Sequence, residues 1–299
     1  MSKTILITGG SGLLGQHLTK MALSANYKIK WLGRTKQNTP PEVESFLWNI
    51  EKEYIDEKCF ENVDYVVHLS GAGVADKPWT IQRKKEILES RTKSTALLAK
   101  YLKNNTSIQK VVAASAIGFY GLDTGENSLN ENAPAGNDFL ANVTDLWEKE
   151  TDKITIPTLK IRIGVVLTEK GGALPKLCEP IKWCAGAALG TGQQYVSWIH
   201  IEDLCRIFLF VLENKNLVGT FNGVAPLPLT NQELTKAIAK KMKKPLFLPN
   251  VPSFVLKMIL GEMAGIVLGG NKVSAEKIIQ TGFHFEYDTI EKALLNLNI

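Results

Sequence analysis

The sequence is poor in several features that announce a function class. Its 299 residues include four cysteines (Cys59, Cys178, Cys184 and Cys205), none in CxxC spacing and none beside a histidine pair. That pattern argues against zinc and for reduced thiols. There is no low-complexity tract and no long run of one charge. The net charge of +5, spread over 35 basic and 30 acidic residues, is too mild and too dispersed to imply a nucleic-acid partner. The densest basic run, "KAIAKKMKKP", reads as the solvated face of a helix. No secretory signal opens "MSKTILITGG", so a cytoplasmic location is expected.

An uninterrupted membrane-length apolar run is missing too. "VPSFVLKMILGEMAGIVLGG" (251–270) comes nearest, with Gly261, Gly265 and Gly269 at GxxxG spacing. Lys257 and Glu262 interrupt it, Pro252 sits near its start and Gly269-Gly270 ends it. A buried or interface-forming helical segment is the expectation, not a membrane span.

What is present is strand–helix alternation. "TILIT" (4–8), "KIKWL" (28–32), "VDYVVHL" (63–69), "KVVAAS" (110–115) and "LKIRIGVVL" (159–167) are continuous apolar runs. Parallel strands covered on both faces read this way. Helical patterns run from Leu13 to about Ala25 and from Thr80 to Asn104. Beyond Leu167 the pattern loosens, with a buried helix expected within 196–214, one more strand in 218–225 and mainly helix over 229–299. The fold expected is α/β, a Rossmann-type doubly wound parallel sheet with a smaller, mainly helical C-terminal substrate lobe. Residues 1–168 make the dinucleotide-binding part, to which 192–225 returns; 169–191 and 226–299 make the lobe.

"ITGGSGLLG" (7–15) lies between the first strand and the first helix, where a phosphate-binding turn must lie. It reads as Gly9-x-x-Gly12-x-x-Gly15 or as Gly10-x-Gly12-x-x-Gly15. The first glycine permits a tight turn, Gly12 lets backbone approach a pyrophosphate, and Gly15 lets helix pack on strand. The helix N-terminus, with Ser11, Leu13 and Leu14, supplies free N–H groups and positive dipole. After the second strand comes Gly33-Arg34-Thr35-Lys36, with no acid for ribose hydroxyls. A guanidinium grips a 2′-phosphate that a carboxylate would repel, which favours NADP over NAD; a solvated basic loop is the alternative.

With these residues in hand, the chain resembles the extended short-chain dehydrogenase/reductase superfamily. More narrowly it is similar to the atypical subgroup of epimerase family proteins, which carry a C-terminal helical extension of unknown function. The motifs that carry the resemblance span nearly the whole chain: "ITGGSGLLG", "HLSGAGVADKPWT", "ILESRTKST", "SAIGFYG", "DFLANVTDLWE", "GVVLTEKGGALPK", "GTGQQYVSWIHIEDL", "FNGVAPLPLTNQEL" and "LGEMAGIVLGG". The resemblance implies further cofactor contacts at Leu69, Ser70 and Gly71, at Glu86 and Arg91, and at Val165. Trp48-Asn49 stands where relatives commonly have an aspartate after the tryptophan, and the asparagine could still reach adenine.

In the superfamily's working enzymes a serine or threonine after the fifth strand binds the substrate oxygen. A tyrosine moves the proton, and a lysine four residues on lowers its pKa. Ser115 fills the first position. The other two are blank: one register gives Phe139 and Val143, the next Leu140 and Thr144. Tyr120 is the nearest titratable hydroxyl and, with Ser115, the candidate catalytic residue; the alternative is a packing tyrosine. Asp138 and His200 are the other residues that could supply a proton, but Asp138 fits a helix N-cap and His200 a structural hydrogen bond; Trp147 fits packing and Glu148 a surface charge. Trp183, Tyr195 and Trp198 could face a sugar or ring, or lie in the core.

Two functions follow. One is an NADP(H)-dependent oxidoreductase of the epimerase/dehydratase type acting on a small carbonyl or sugar-like molecule; the other is an NADP(H)-binding sensor that has lost catalysis. A partner-docking protein built on the GxxxG segment would explain nothing in the first half. Neither nucleic acid nor membrane is expected as a partner; dimers are common in the superfamily.

Overall fold

A computed structural model describes residues 2–36 and 39–299 of the chain. "TILIT" forms β1 (Thr4–Thr8), with every residue buried. Ile5 and Ile7 enter one core layer and Leu6 the opposite one, which is why the strand reads as unbroken apolar sequence. The first half continues with α1 (Leu13–Ser24), β2 (Lys28–Gly33), β3 (Val43–Asn49), β4 (Tyr54–Ile55), β5 (Tyr65–His68), α2 (Ile81–Leu102) and β6 (Lys110–Ala116). After a 3-10 turn at Ile117–Tyr120 come β7 (Ser128–Leu129), α3 (Phe139–Thr151), β8 (Thr158–Ile163) and β9 (Val165–Leu167). Then follow α4 (Ala173–Lys182), β10 (Tyr195–Val196), β11 (Trp198–His200), α5 (Ile201–Glu213), β12 (Gly219–Gly223), β13 (Leu229–Thr230) and α6 (Asn231–Lys241). The chain ends in α7 (Ser253–Leu260), α8 (Ala264–Leu268), β14 (Lys272–Val273), α9 (Glu276–Gln280) and α10 (Ile290–Asn296).

The main sheet has the order β12-β8-β6-β5-β1-β2-β3-β4, parallel except where β4 returns against β3. Strand order therefore reverses at β1, with β2 on one side and β5 on the other, and this opens a crevice beyond their carboxyl ends. One face carries α1 and α5, the other α2 and α3. A third apolar cluster, built from Leu174, Ile181, Trp198, Leu234, Ile238 and Leu294, holds α4, α6 and α10 together. The structure is thus a Rossmann-type doubly wound sheet with a helical C-terminal region.

Two segments differ from expectation. The run 159–167 is two strands: β8 stays in the main sheet, and β9 pairs with β11. Gly164 sits at the break, where an added Cβ would stand 2.3 Å from the Ser197 carbonyl oxygen. The apolar segment 251–270 is helical but broken in three, with a 3-10 turn at Gly261–Met263 between α7 and α8 and Gly261 at φ +58°. Gly261 is exposed, but Gly265 and Gly269 face inward: a Cβ on Gly265 would meet Leu122 Cδ1 at 2.8 Å, and one on Gly269 the Leu122 carbonyl oxygen at 2.1 Å. The GxxxG spacing thus seats this segment against the chain's own loop. Among the described residues, no helix is long and apolar enough to cross a membrane.

Candidate functional site

The crevice is floored by the glycine turn. Gly9 takes φ +71°, and a Cβ there would press on the Leu69 and Ser70 backbone at 3.1–3.2 Å. A Cβ on Gly15 would stand 2.4 Å from the Gly9 carbonyl oxygen, so only glycine lets α1 sit this close. Gly10 belongs to packing instead, because its Cβ would enter the Trp31 ring at 2.5 Å. This selects the register starting at Gly9. Gly12 is the N-cap of α1, with no side-chain cap and no acid in the first turn. Ser11 and Gly12 are exposed, Leu13 and Leu14 half-buried. The amide end of α1 faces the crevice with its dipole uncompensated, the arrangement that binds phosphate.

Arg34 is exposed just past the end of β2, after Gly33. Across the crevice, Glu86 is hydrogen-bonded by Arg83 at 2.7 Å, which holds its carboxyl below the usual range, aided by Lys77 and Arg34. Leu69 is tied by its N–H to Thr8, and Gly71 lies directly over the Arg91 side chain. The Arg91 guanidinium donates to the Ile87 carbonyl and lies 5.2 Å from the Trp147 ring centroid. Burial, and then Arg83, lower its pKa to about 10; among the described residues no carboxylate pairs with it. A dinucleotide fits this surface, which has an open helix N-terminus and unneutralised guanidinium groups. Asn49 is exposed, its Oδ1 accepting from Lys52 N–H. Val165 begins β9, half-buried, with its N–H on the Ser197 carbonyl.

Ser115 and Tyr120 do not open to the crevice. Register sets Ser115, Arg162 and Asn222 side by side on β6, β8 and β12. The Ser115 hydroxyl donates to Glu148 Oε1 at 2.6 Å. Arg162 clamps Glu148 through Nε–Oε1 (2.8 Å) and Nη2–Oε2 (2.9 Å). Tyr120, 3% exposed, donates to Asn222 Oδ1 at 2.7 Å and accepts from Arg162 Nη1 at 3.1 Å. The guanidinium carbon also sits 3.4 Å from the Phe119 ring centroid. Burial pushes the Tyr120 phenol up, against the opposing effect of Arg162. That is the wrong direction for a proton-transferring tyrosine, whose pKa needs lowering.

The expectation of a surface charge at Glu148 is corrected: it is 6% exposed and, with Arg162 at 4%, forms the centre of this network. A signal was available. Lys160 and Arg162 alternate within an apolar strand, and Glu148 on α3 and Asp152 at its C-cap are spaced four apart; Lys160 pairs with Asp152 at 2.6 Å.

The position where a tyrosine is expected holds Phe139, the first residue of α3, which meets Trp79 edge-on with centroids 5.0 Å apart. Val143 is buried, and in the other register the Thr144 hydroxyl is satisfied by the Leu140 carbonyl. Asp138 caps α3, accepting from Leu140 and Ala141 N–H, and also receives Leu122 N–H. His200 Nδ1 accepts from Glu202 N–H at the start of α5, and burial lowers its pKa. The ring is a structural cap, tilted against the Tyr287 ring with centroids 3.8 Å apart. Trp198 is fully buried, Trp183 is 74% exposed, and Tyr195 is half-buried beside Gly270. Among the described residues no cluster of three or more potential ligands could hold a metal ion.

Comparison with known proteins gives consistent matches. Residues 5–139 match the NAD dependent epimerase/dehydratase family, and residues 251–297 match a domain of unknown function, DUF1731. The chain is 34% identical to the epimerase family protein YfhF of Bacillus subtilis, covering 98% of this chain and 97% of that one. It is also 34% identical to the chloroplastic SDR39U1 homolog of Arabidopsis thaliana, over 97% of this chain and 85% of that one. Among solved structures, the human epimerase family protein SDR39U1 with NADPH superposes with a TM-score of 0.88 at 26% identity, covering 98% of both chains.

Proposed function

This chain belongs to the NAD dependent epimerase/dehydratase family, and from that premise we propose that it binds NADP(H) and acts as an oxidoreductase of the epimerase/dehydratase type on a small carbonyl or sugar-like molecule. The carrying observation is the uncapped N-terminus of α1, reached over Gly9, Gly12 and Gly15, with Arg34 beyond β2 and no acid beside it. The human relative solved with NADPH supports the phosphorylated form of the cofactor. The first-turn amides of α1 take the pyrophosphate, Arg34 takes the 2′-phosphate, and Leu69, Ser70, Gly71, Glu86, Arg91 and Val165 border the rest. When bound, the dinucleotide supplies or accepts a hydride.

The chain's own residues orient more than they relay. Ser115 and Tyr120 act through Glu148 and Arg162 to set the strand exit at Ile117–Tyr120, and Phe139 excludes water where a proton donor usually stands. A positioned general acid or base contributes about 10²–10⁴ in rate. Turnover is accordingly slow unless a proton comes from elsewhere. The closed network favours a second reading, an NADP(H)-binding sensor without turnover. Calorimetric titration with NADPH and NADH, followed by NADPH oxidation against aldehydes, ketones and nucleotide sugars, separates the outcomes. Binding with turnover supports the enzyme, binding alone the sensor, and no binding to either dinucleotide refutes both.

A further inference from the structure

Three elements meet at Phe139. Trp79 stands just before α2, Lys84 lies in the first turn of α2, and Phe139 opens α3. Lys84 Nζ hangs 5.2 Å from the Phe139 ring centroid and pairs with Glu262, which arrives on the 3-10 turn between α7 and α8. The partners are unequal. The lysine side chain is 29% exposed, set on a 22-residue helix and over the Phe139 ring. The carboxylate is 65% exposed and follows Gly261, whose positive φ makes it a bend and not a brace. The neighbouring Arg83 is already taken by Glu86, Asp76 and the Gly73 carbonyl. Lys84 is thus the cation at this spot that an incoming anion can claim, and an exposed ion pair exchanges partners at little cost.

We infer that Lys84 is the anion-binding end of the substrate site and that Glu262 is an internal stand-in, displaced by the anionic group of the substrate. The substrate class is a small molecule with a flat apolar or unsaturated portion, which lies against Trp79 and Phe139, and one carboxylate or phosphate that meets Lys84. This rests on the reading above only in taking the Phe139 corner as the substrate end of the crevice.

The two members of the pair then carry opposite signs. Removing Lys84 removes the site; removing the Glu262 charge removes a competitor. A bond made only for structure would weaken the protein the same way from either side. Phenylglyoxylate, phenyl phosphate and uncharged benzaldehyde are titrated by calorimetry into wild type, Lys84→Met, Lys84→Arg and Glu262→Gln, with and without saturating NADPH. Lys84→Met should loosen both anions roughly tenfold, Lys84→Arg should keep them, and Glu262→Gln should tighten them about two- to fivefold. The tighter of the two anions identifies the group. Equal or parallel shifts in Lys84→Met and Glu262→Gln, or benzaldehyde binding as well as the anions, would overturn the inference. NADPH affinity measured on the same samples tests the cofactor reading separately, since probe binding is also read without dinucleotide.

Discussion

Replacing Glu148 with alanine would strand Arg162 in a nearly dry site. The side chain would lose two charge-assisted bonds of 2.8 and 2.9 Å, and Ser115 would lose its acceptor at 2.6 Å. Arg162 would keep only the neutral oxygens of Tyr120 at 3.1 Å and Glu131 at 3.2 Å. Removing one partner of a buried, hydrogen-bonded ion pair costs about 3–5 kcal/mol, because the remaining charge stays desolvated. Against a typical total of about 5–15 kcal/mol, that is a large share of stability. Urea unfolding followed by far-UV circular dichroism should therefore show a markedly lower midpoint for Glu148→Ala and a similar one for Arg162→Met. The double variant should be milder than the sum by about 2 kcal/mol, since the two residues lie in one network. A Glu148→Ala protein within about 1 kcal/mol of wild type, well below the expected cost of breaking a buried pair, or strict additivity in the double variant, would refute the network as described.

Other outcomes follow from the same geometry. Arg34→Ala should cut the preference for NADPH over NADH by roughly tenfold or more, the worth of a hydrogen bond to a charged group; titration with both dinucleotides checks it. Gly15→Ala should weaken dinucleotide binding and cost about 1–3 kcal/mol in urea, because its Cβ would overlap the Gly9 carbonyl. Tyr120→Phe should lower stability by about 1 kcal/mol while leaving NADPH binding intact; loss of turnover at unchanged stability would restore a proton-transfer role. His68 is fully buried between the Thr8 and Thr95 hydroxyls, and burial brings its pKa down to about 4. The unfolded chain then takes up the proton first, so its contribution is complete above about pH 6.5 and is lost as pH falls toward 4, at about 1.4 kcal/mol per unit. Urea midpoints between pH 7 and 4.5 should show this slope, flattened in His68→Gln.

The sheet was readable because its strands are covered on both sides: β1, β5 and β6 present apolar side chains to two core layers and so stand out as runs. The phosphate-binding turn was readable because each glycine answers a local steric demand. The inner side of the site was harder to read. Ser115 sits at the right place in the chain, yet its direction is set by Arg162 one strand away and by Glu148 on a helix 33 residues on. That Glu148 turns inward is signalled only by the alternating Lys160 and Arg162 of the next strand and by its four-residue spacing from Asp152. In 159–167 the apolar pattern continues through Gly164, so the change of sheet is set by the Ser197 backbone, which approaches from between β10 and β11. The length of 251–270 suggested one segment, and the positive φ of Gly261 divides it.

The final stretch joins the 121–130 loop through peptide groups as well as side chains. Thr124 N–H meets the Gly270 carbonyl, Ser274 N–H meets the Leu129 carbonyl, and β14 lies in register with β7. Asn271 adds a clasp to the Gly121 carbonyl at 2.6 Å, beside the turn that carries Tyr120. Main-chain bonds are indifferent to side-chain identity, so replacement is tolerated at the exposed positions of this seam but not at Gly269 and Gly270, where a Cβ would stand 2.1 and 2.4 Å from a carbonyl oxygen, nor at the buried Val273. A graft that transplanted the tail alone would carry half a zipper.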